Sequence, residues 1–555
     1  MLSFFYAQPI DQSDFVATAA IKERANNHQM GYSVFPSSPM DFENHIGTKR
    51  CARQCNSLLA RHFYSSSDPA LFRRHSQEAS MRFPVTCLCM VIVGFTHLGV
   101  AADEGLDRAV AEQALHQAVN FFRKQVATNA SYLWRYSADL KHGEGEGAAL
   151  RTTAWVQPPG TPTVGEAYLS AYHLTEDPIY LNAAVETAFG LTKGQLESGG
   201  WDYRIEFREQ RNKYRYRLDQ DRPSARNVTT LDDDVTQSAL RFLMRVDMSI
   251  KFEDQQIHNA AMYALERLGQ AQYPNGSWPQ RFSEPPDAEK FPVRVATYPD
   301  TWPREHPKVD YRSFYTFNDN TISDMIDTFF IASAIYEDPR YQAIAEKAGS
   351  FILLAQMPEP QPAWAQQYNA RMQPAWARRF EPAAVTGGES QGVIRTLLKL
   401  YEWTGDAQYL EPVPRALAYL KRSQLPDGRL ARFYELQTNE PLYFTTKYEL
   451  TYKDDDLPTH YGFQVRSSLD SIEADYNRIK DAPPRRLKVR STRTVKLTPS
   501  LARQARAVIN AMDQRGAWVE EGQLRTVNSK SRQIIASRTF ASNVEILARF
   551  IAARP

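Results

Sequence analysis

The chain has 555 residues, of which 23% are charged, 43% hydrophobic and 12% aromatic, with 33 prolines. That balance excludes disorder or coiled coil over most of its length. Lys and Arg number 66 against 64 Asp and Glu, and the net charge of +2 excludes a bulk field for nucleic acid or membrane, so an acidic ligand must be met locally.

The first 102 residues stand apart. Cys51, Cys55, Cys87 and Cys89 all lie there, and no cysteine follows. Cys51-x-x-x-Cys55 has no partner His/Cys pair at metal spacing, so it does not make a metal site. From Met81 the order is a positive charge at Arg82, a short apolar run from Pro84 to Val100, and small residues at Ala101-Ala102 before Asp103. This is the pattern of a secretory signal, too short to span a membrane, with cleavage expected near Ala101-Ala102. Residues 1–80 lack sustained periodicity and are expected to be a non-native extension or disordered leader, residues 81–102 the signal, and residues 103–555 one folded domain. A secreted or periplasmic location follows, and the mature chain, without cysteine, must be held by its core or by metal.

Beyond Asp103 the elements read as paired helices. Arg108–Lys124 has helical spacing, and then four pairs follow: Thr163–Leu174 with Tyr180–Leu191, Val235–Met248 with Ile257–Leu268, Thr321–Ile335 with Tyr341–Leu353, and Ser390–Trp403 with Tyr409–Leu420. Turn signals at Glu176-Asp-Pro, Glu337-Asp-Pro and Gly405-Asp-Ala split three of them, and Leu501–Met512 supplies a further helix near the end. After each second helix comes a related loop: Gln195-LESGGWDYRI, Gln272-YPNGSWPQRF, Gln356-MPEPQPAWAQQY and Gln424-LPDGRLARFY. Helix hairpins repeated in this way bury their apolar faces by stacking or by closing into a ring. The expected fold is all-α, a closed α/α toroid with the first helix of each pair inside; an open solenoid is the alternative.

Three first helices start on concentrated acid or amide: Asp232-Asp233-Asp234, Asn318-Asp319-Asn320 and Gly387-Gly388-Glu389. Helix capping accounts for one acid at each. Three consecutive aspartates repel one another, which calls for a cation. Because successive residues point about 100° apart, only one or two of the three can join Asp319 around a Ca²⁺ ion. Capping and metal binding both stay open on local sequence. The long loops add arginine beside aromatic residues at Trp278/Arg281, Trp376/Arg378 and Arg432/Phe433, a pairing suited to carboxylate and sugar ring together.

Six segments in order, Gly199-Gly-Trp201, Thr230-LDDDVTQSALRFL, Gly276-SWPQRF, Tyr315-TFNDNTISDMI, Trp376-ARRFEPAAVTGGES and Ala431-RFYELQTNEPLYF, together resemble the family 10 pectate lyases, from about residue 105 to at least 465. The resemblance implies an α/α toroid that cleaves polygalacturonate by β-elimination, with Ca²⁺ as cofactor and an arginine as base. Carried over by motif order, the base is Arg432. The metal ligands are Asp232 and Asp233, of which Asp233 is favoured, together with Asp319. Substrate contacts are expected at Trp278, Arg281, Asn318, Asn320, Arg378 and Glu389. Guanidinium stays protonated in ordinary surroundings, so an arginine base implies an alkaline optimum, above pH 8. A monomer is expected.

Two other classes remain as alternatives. An inverting hydrolase on the same fold would need two separated carboxylates, for which Asp233 and Glu389 are the candidates. A non-catalytic pectin-binding toroid would use the aromatics and arginines alone. Asp454-Asp455-Asp456 reads as a solvated turn, and the basic run Pro484–Lys496 as a surface linker.

Overall fold

Short local signals set the helix ends. Glu176 and Glu337 stop one helix with φ of 61° and 54°, Gly405 does so with 75°, and the Asp that follows each caps the next segment: Asp177 accepts from the Ile179 amide, Asp338 from Arg340 and Asp406 from Gln408. Lys251 and Phe252, both left-handed, and the cap Asp254 do the same in the remaining pair. The computed structural model describes residues 106–219, 223–485, 487 and 494–554. The four cysteines, the expected leader and signal, and most of the basic run after Pro484 lie outside them.

The helices are α1 (Arg108–Phe121), α2 (Thr161–Thr175), α3 (Pro178–Lys193), α4 (Val235–Ser249), α5 (Gln255–Gln270), α6 (Thr321–Tyr336), α7 (Pro339–Leu354), α8 (Gly388–Thr404), α9 (Val413–Arg422), α10 (Leu469–Ile479), α11 (Pro499–Asn510) and α12 (Ser537–Ala552). The first members of the pairs pack in succession, α2 on α4, α4 on α6, α6 on α8 and α8 on α10, and the C-terminal α12 returns to lie against α2. The inner layer thus runs α12, α2, α4, α6, α8, α10, as the hairpin reading requires. Tyr409, placed in the last paired helix by the sequence, sits in a short 3₁₀ turn, because Pro412 delays the α-helix to Val413.

The all-α expectation needs correcting, because the long loops form strands. In each of four repeats a strand just before the inner helix pairs antiparallel with one just after the outer helix: Thr153–Trp155 with Arg204–Glu206, Thr229–Thr230 with Arg281–Phe282, Tyr315–Thr316 with Gln367–Tyr368, and Ala384–Thr386 with Phe433–Glu435. The repeat unit is therefore strand, helix, helix, strand, latched on itself. The strands are two or three residues long, too short to impose a period on the sequence.

The recurring glutamine and tryptophan are structural. Gln195 donates through Nε2 to Gly199 O and Ala260 O, Gln272 to Gly276 O and Ile344 O, and Gln356 to Pro362 O and Pro412 O. Each amide closes its own loop and ties it to the next outer segment. Trp201, Trp278 and Trp364 are fully buried, and their indoles donate to the last turn of the preceding outer helix, at Leu191, Leu268 and Ile352. Among the described residues no helix is long and apolar enough to cross a membrane.

Candidate active site

The latches deliver the acids. Thr230 pairs with Arg281, and the chain turns into Asp232-Asp233-Asp234 directly after it; Thr316 pairs with Gln367, and Asn318-Asp319-Asn320 follows. Both turns use the same backbone. Asp233 and Asp234 have φ of 52° and 58°, Asp319 and Asn320 of 48° and 60°. Asp and Asn tolerate this left-handed region better than other side chains do, so the residue type serves the turn as well as the charge. No side-chain cap bond forms at either helix start, so the capping reading is not what these acids do. The third cluster differs: Gly387 is right-handed, α8 begins at Gly388, and Glu389 falls in its first turn.

One carboxylate oxygen from each of Asp232, Asp233 and Asp319 lies within 4.8 Å of the other two. Asp234 turns away to a two-pronged pair with Arg241, 2.7 Å to each oxygen. Two ligand oxygens on one Ca²⁺ stand at most about 5 Å apart, so the three acids fit a hard divalent cation. Asp232 Oδ1 supports this, being buried with no hydrogen-bond partner. Burial, then the charges of Asp232 and Glu146, raise Asp233 to about 7. Burial and the charges of Asp232 and Asp233 hold Asp319 well above the usual carboxylate range.

Arginine–tyrosine pairs flank the acids. The Tyr203 hydroxyl stands 2.8 Å from Asp232 Oδ2 and 3.2 Å from Asp233 Oδ2, and Arg281, packed over the Tyr203 ring, reaches the same Asp232 oxygen at 3.4 Å. On the other flank Arg378 Nη2 lies 4.0 Å from Asp319 Oδ2 and 2.5 Å from Glu381 Oε1. Arg432 donates to Glu389 Oε1 at 2.6 Å, to Gly462 O at 2.7 Å and to Tyr461 Oη at 3.3 Å. Burial works to lower both of these arginines, but their acid partners outweigh it and raise them, Glu381 chiefly for Arg378 and Glu389 for Arg432. Arg281 Nε, Gln366 Oε1, Arg378 Nε and Glu389 Oε2 are likewise buried without partners.

Asp232, Asp233, Asp319, Asn318, Arg281, Arg378, Arg432 and Glu389 are all brought to this locality, with two corrections of role. Trp278 is completely buried behind the strands, bonded to Leu268 O, and cannot touch a substrate. Glu389 is the counter-ion of Arg432 and a partner of Gln366, so it holds the site rather than a sugar. Asn318 is buried and donates to Asp319, while Asn320 is exposed at the start of α6. Asp454 and Asp456 are exposed and accept from Gln464 and Thr446, as a surface turn would.

Sequence reasoning missed Tyr203, Gln366, Glu381 and Tyr461. Tyr203 and Gln366 lie inside or beside the repeated loops, at the Gly-Gly-Trp-Asp-Tyr and Trp-Ala-Gln segments, and their position after the repeated tryptophan is the signal that could have found them. Tyr461 carried no such signal.

Residues 195–400 match the family model of pectic acid lyase. No curated protein matches the chain. Among solved structures it is similar to a mutant of the family 10 polysaccharide lyase from Cellvibrio cellulosa in complex with trigalaturonic acid, at 19% identity and TM-score 0.40, over 57% of this chain and 98% of that one. It is also similar to the cellobiose 2-epimerase from Bacillus thermoamylovorans, at 13% identity and TM-score 0.39, over 80% and 98%. The matched span contains the three clustered aspartates, Arg281 and Arg378, and the similarity to pectic acid lyases over residues 195–400 supports a polysaccharide lyase.

Proposed function

We propose that the protein is an exported, monomeric pectate lyase that cleaves polygalacturonate by Ca²⁺-assisted β-elimination, leaving 4,5-unsaturated oligogalacturonides. The observation that carries this reading is the nest of Asp232, Asp233 and Asp319 faced by Arg281 and Arg378. An acid cluster repels a polyanion, and arginines attract one; a bound cation makes the two compatible in one groove.

In the elimination the C5–H bond of a galacturonate breaks, its electron pair becomes the C4–C5 double bond, and the C4–O bond to the departing sugar breaks. The proton is barely acidic because its neighbour is a carboxylate. Held by Asp232, Asp233 and Asp319, Ca²⁺ would supply positive charge for that carboxylate as negative charge builds on it. The chain's own side chains do the rest. Arg281, beside Asp232, is placed to grip a second uronate carboxylate. Tyr203 and Asn318 fix the aspartate oxygens, so the nest keeps its shape when a ligand arrives.

Motif order put the base at Arg432. Distance favours Arg378, whose Nη2 is 4.0 Å from Asp319, whereas the bonds of Arg432 run to Glu389, Tyr461 and Gly462. Asp319 adds to the charge that keeps both arginines protonated, after Glu381 for Arg378 and Glu389 for Arg432, so a cation in the nest would ease proton acceptance at either. Hydrolysis by Asp233 and Glu389 is disfavoured, because Glu389 is committed to Arg432.

The test is ultraviolet absorbance of the unsaturated product from polygalacturonate at pH 9, with Ca²⁺ and then with excess EDTA. A rise that chelation stops is expected; reducing ends without absorbance would mean hydrolysis. Arg378→Ala and Arg432→Ala, assayed side by side with substrate binding measured separately, decide the base: the base variant still binds oligogalacturonate but does not turn it over.

A further inference from the structure

The loop from Tyr452 to Phe463 lies outside the span matched to the family, yet it carries the residue that connects the arginines. It is pinned next to the site: Leu430–Ala431 pairs with Gln464–Val465, and the Arg432 amide donates to Phe463 O at 2.7 Å. That anchorage sets Tyr461 between the third and fourth repeats. Its ring packs on Phe380 at 4.6 Å and Phe463 at 5.4 Å, with the Arg432 guanidinium over it at 4.6 Å and that of Arg378 at 5.9 Å.

The hydroxyl uses all its bonding capacity. It accepts from Gln366 Nε2 at 3.1 Å and Arg432 Nη1 at 3.3 Å, and donates to Glu381 Oε1 at 3.2 Å. Glu381 Oε1 is also the oxygen that takes Arg378 Nη2, at 2.5 Å. One hydroxyl therefore fixes Arg432 directly and Arg378 through the shared acid. Gln366 in turn bonds Asn318 Oδ1, which ties this hub to the turn carrying Asp319.

We propose that Tyr461 is a positioning residue for the elimination, holding the guanidiniums of Arg378 and Arg432 at a fixed separation from each other and from the Asp319 turn. The assignment rests on the lyase reading above. It concerns orientation, not proton transfer: the phenol holds its proton toward Glu381, and no bond to it is made or broken in the reaction.

Tyr461→Phe separates this role from packing, because the ring stays and no neighbour is stranded. Glu381 keeps Arg378, Arg432 keeps Glu389 and Gly462, and Gln366 keeps Asn318. The melting temperature should be unchanged. Loosening the arginines by a fraction of an ångström should lower kcat about 10- to 100-fold with KM within about twofold. Combined with Arg378→Lys, the loss should fall short of the product of the two single losses, since part of what Tyr461 does is to hold Arg378 through Glu381. A wild-type kcat in Tyr461→Phe, a rise in KM at constant kcat, or full additivity with Arg378→Lys would each overturn the assignment while leaving the lyase reading intact. A wild-type chain that releases no unsaturated product with Ca²⁺ present would overturn both, and is recognised before any variant is made.

Discussion

Asp233 and Asp319, one repeat apart, hold the same left-handed backbone, with φ of 52° and 48°, and bring their carboxylates within 4.8 Å of one another and of Asp232. Two strained turns of identical form, each placed two residues after a latch strand, are what convert a fold repeat into a site. Strain of this kind is held only where the surroundings over-determine it.

Because the three carboxylates repel one another when no cation is present, replacing one should help the chelated protein. Asp319→Asn is expected to raise the melting temperature in EDTA by on the order of 1 °C. It should also abolish the further rise that Ca²⁺ gives the wild type. Differential scanning calorimetry with and without Ca²⁺ checks both. A destabilised apo variant would mean that the three acids are not in conflict.

Asp233, raised to about 7, gives the pH dependence a definite sign. A cation needs the carboxylate deprotonated, so Ca²⁺ affinity should fall as pH drops through about 7 and level off above it. The chelated protein should do the opposite. A carboxyl held above its unfolded value stabilises the fold in full below about pH 4, and that contribution disappears as pH rises toward 7. Calorimetric titration of Ca²⁺ between pH 6 and 9 reads the first effect and thermal melts in EDTA the second.

Gln272→Ala should cost stability without touching chemistry. It leaves Gly276 O unmet behind the loop and removes the tie to Ile344 O of α7, a loss of about 1–3 kcal/mol. Urea unfolding should show a lower midpoint, and kcat at a temperature where the variant is folded should match the wild type.

Trp278 and Arg281 sit three residues apart and should behave oppositely. Trp278→Ala opens a cavity under the second latch and should cost about 3–5 kcal/mol. Arg281→Ala, at the partly exposed end of that latch, should leave the fold standing and raise KM several-fold. A Trp278→Ala variant that melts normally and loses only binding would restore the stacking role.

The helix pairs were legible because the inner helices α2, α4, α6 and α8 each run for fifteen or more residues, and the hinges because Asp caps and left-handed stops are local chemistry. The acids were legible too: three aspartates in a row conflict with burial wherever they fall. The latches were not, since Thr229–Thr230 and Arg281–Phe282 are two-residue strands separated by an entire hairpin. The roles of the arginines were harder still. Nothing near Arg378 or Arg432 in sequence announces Glu389 or Tyr461 as a partner; the bond from Arg432 to Glu389 spans 43 residues, and that from Gln366 to Tyr461 spans 95. Trp278 misled because an aromatic beside an arginine reads the same whether the ring faces sugar or core.

The pairing of Arg281–Phe282 before, and of Tyr315–Thr316 after, the stretch 283–314 fastens both ends of that excursion to separate repeats. Between those ends it is tied to the third-repeat loop as well: the Ala296 amide donates to Leu354 O, that of Thr297 to Met372 O, and His306 Nε2 lies 3.0 Å from Ala377 O, next to Arg378. Exchanging the stretch should therefore disturb Arg378 before it disturbs Asp232 or Arg281, which keep a latch of their own. The excursion acts as a brace, so variation along it reaches one arginine of the site and not the acids.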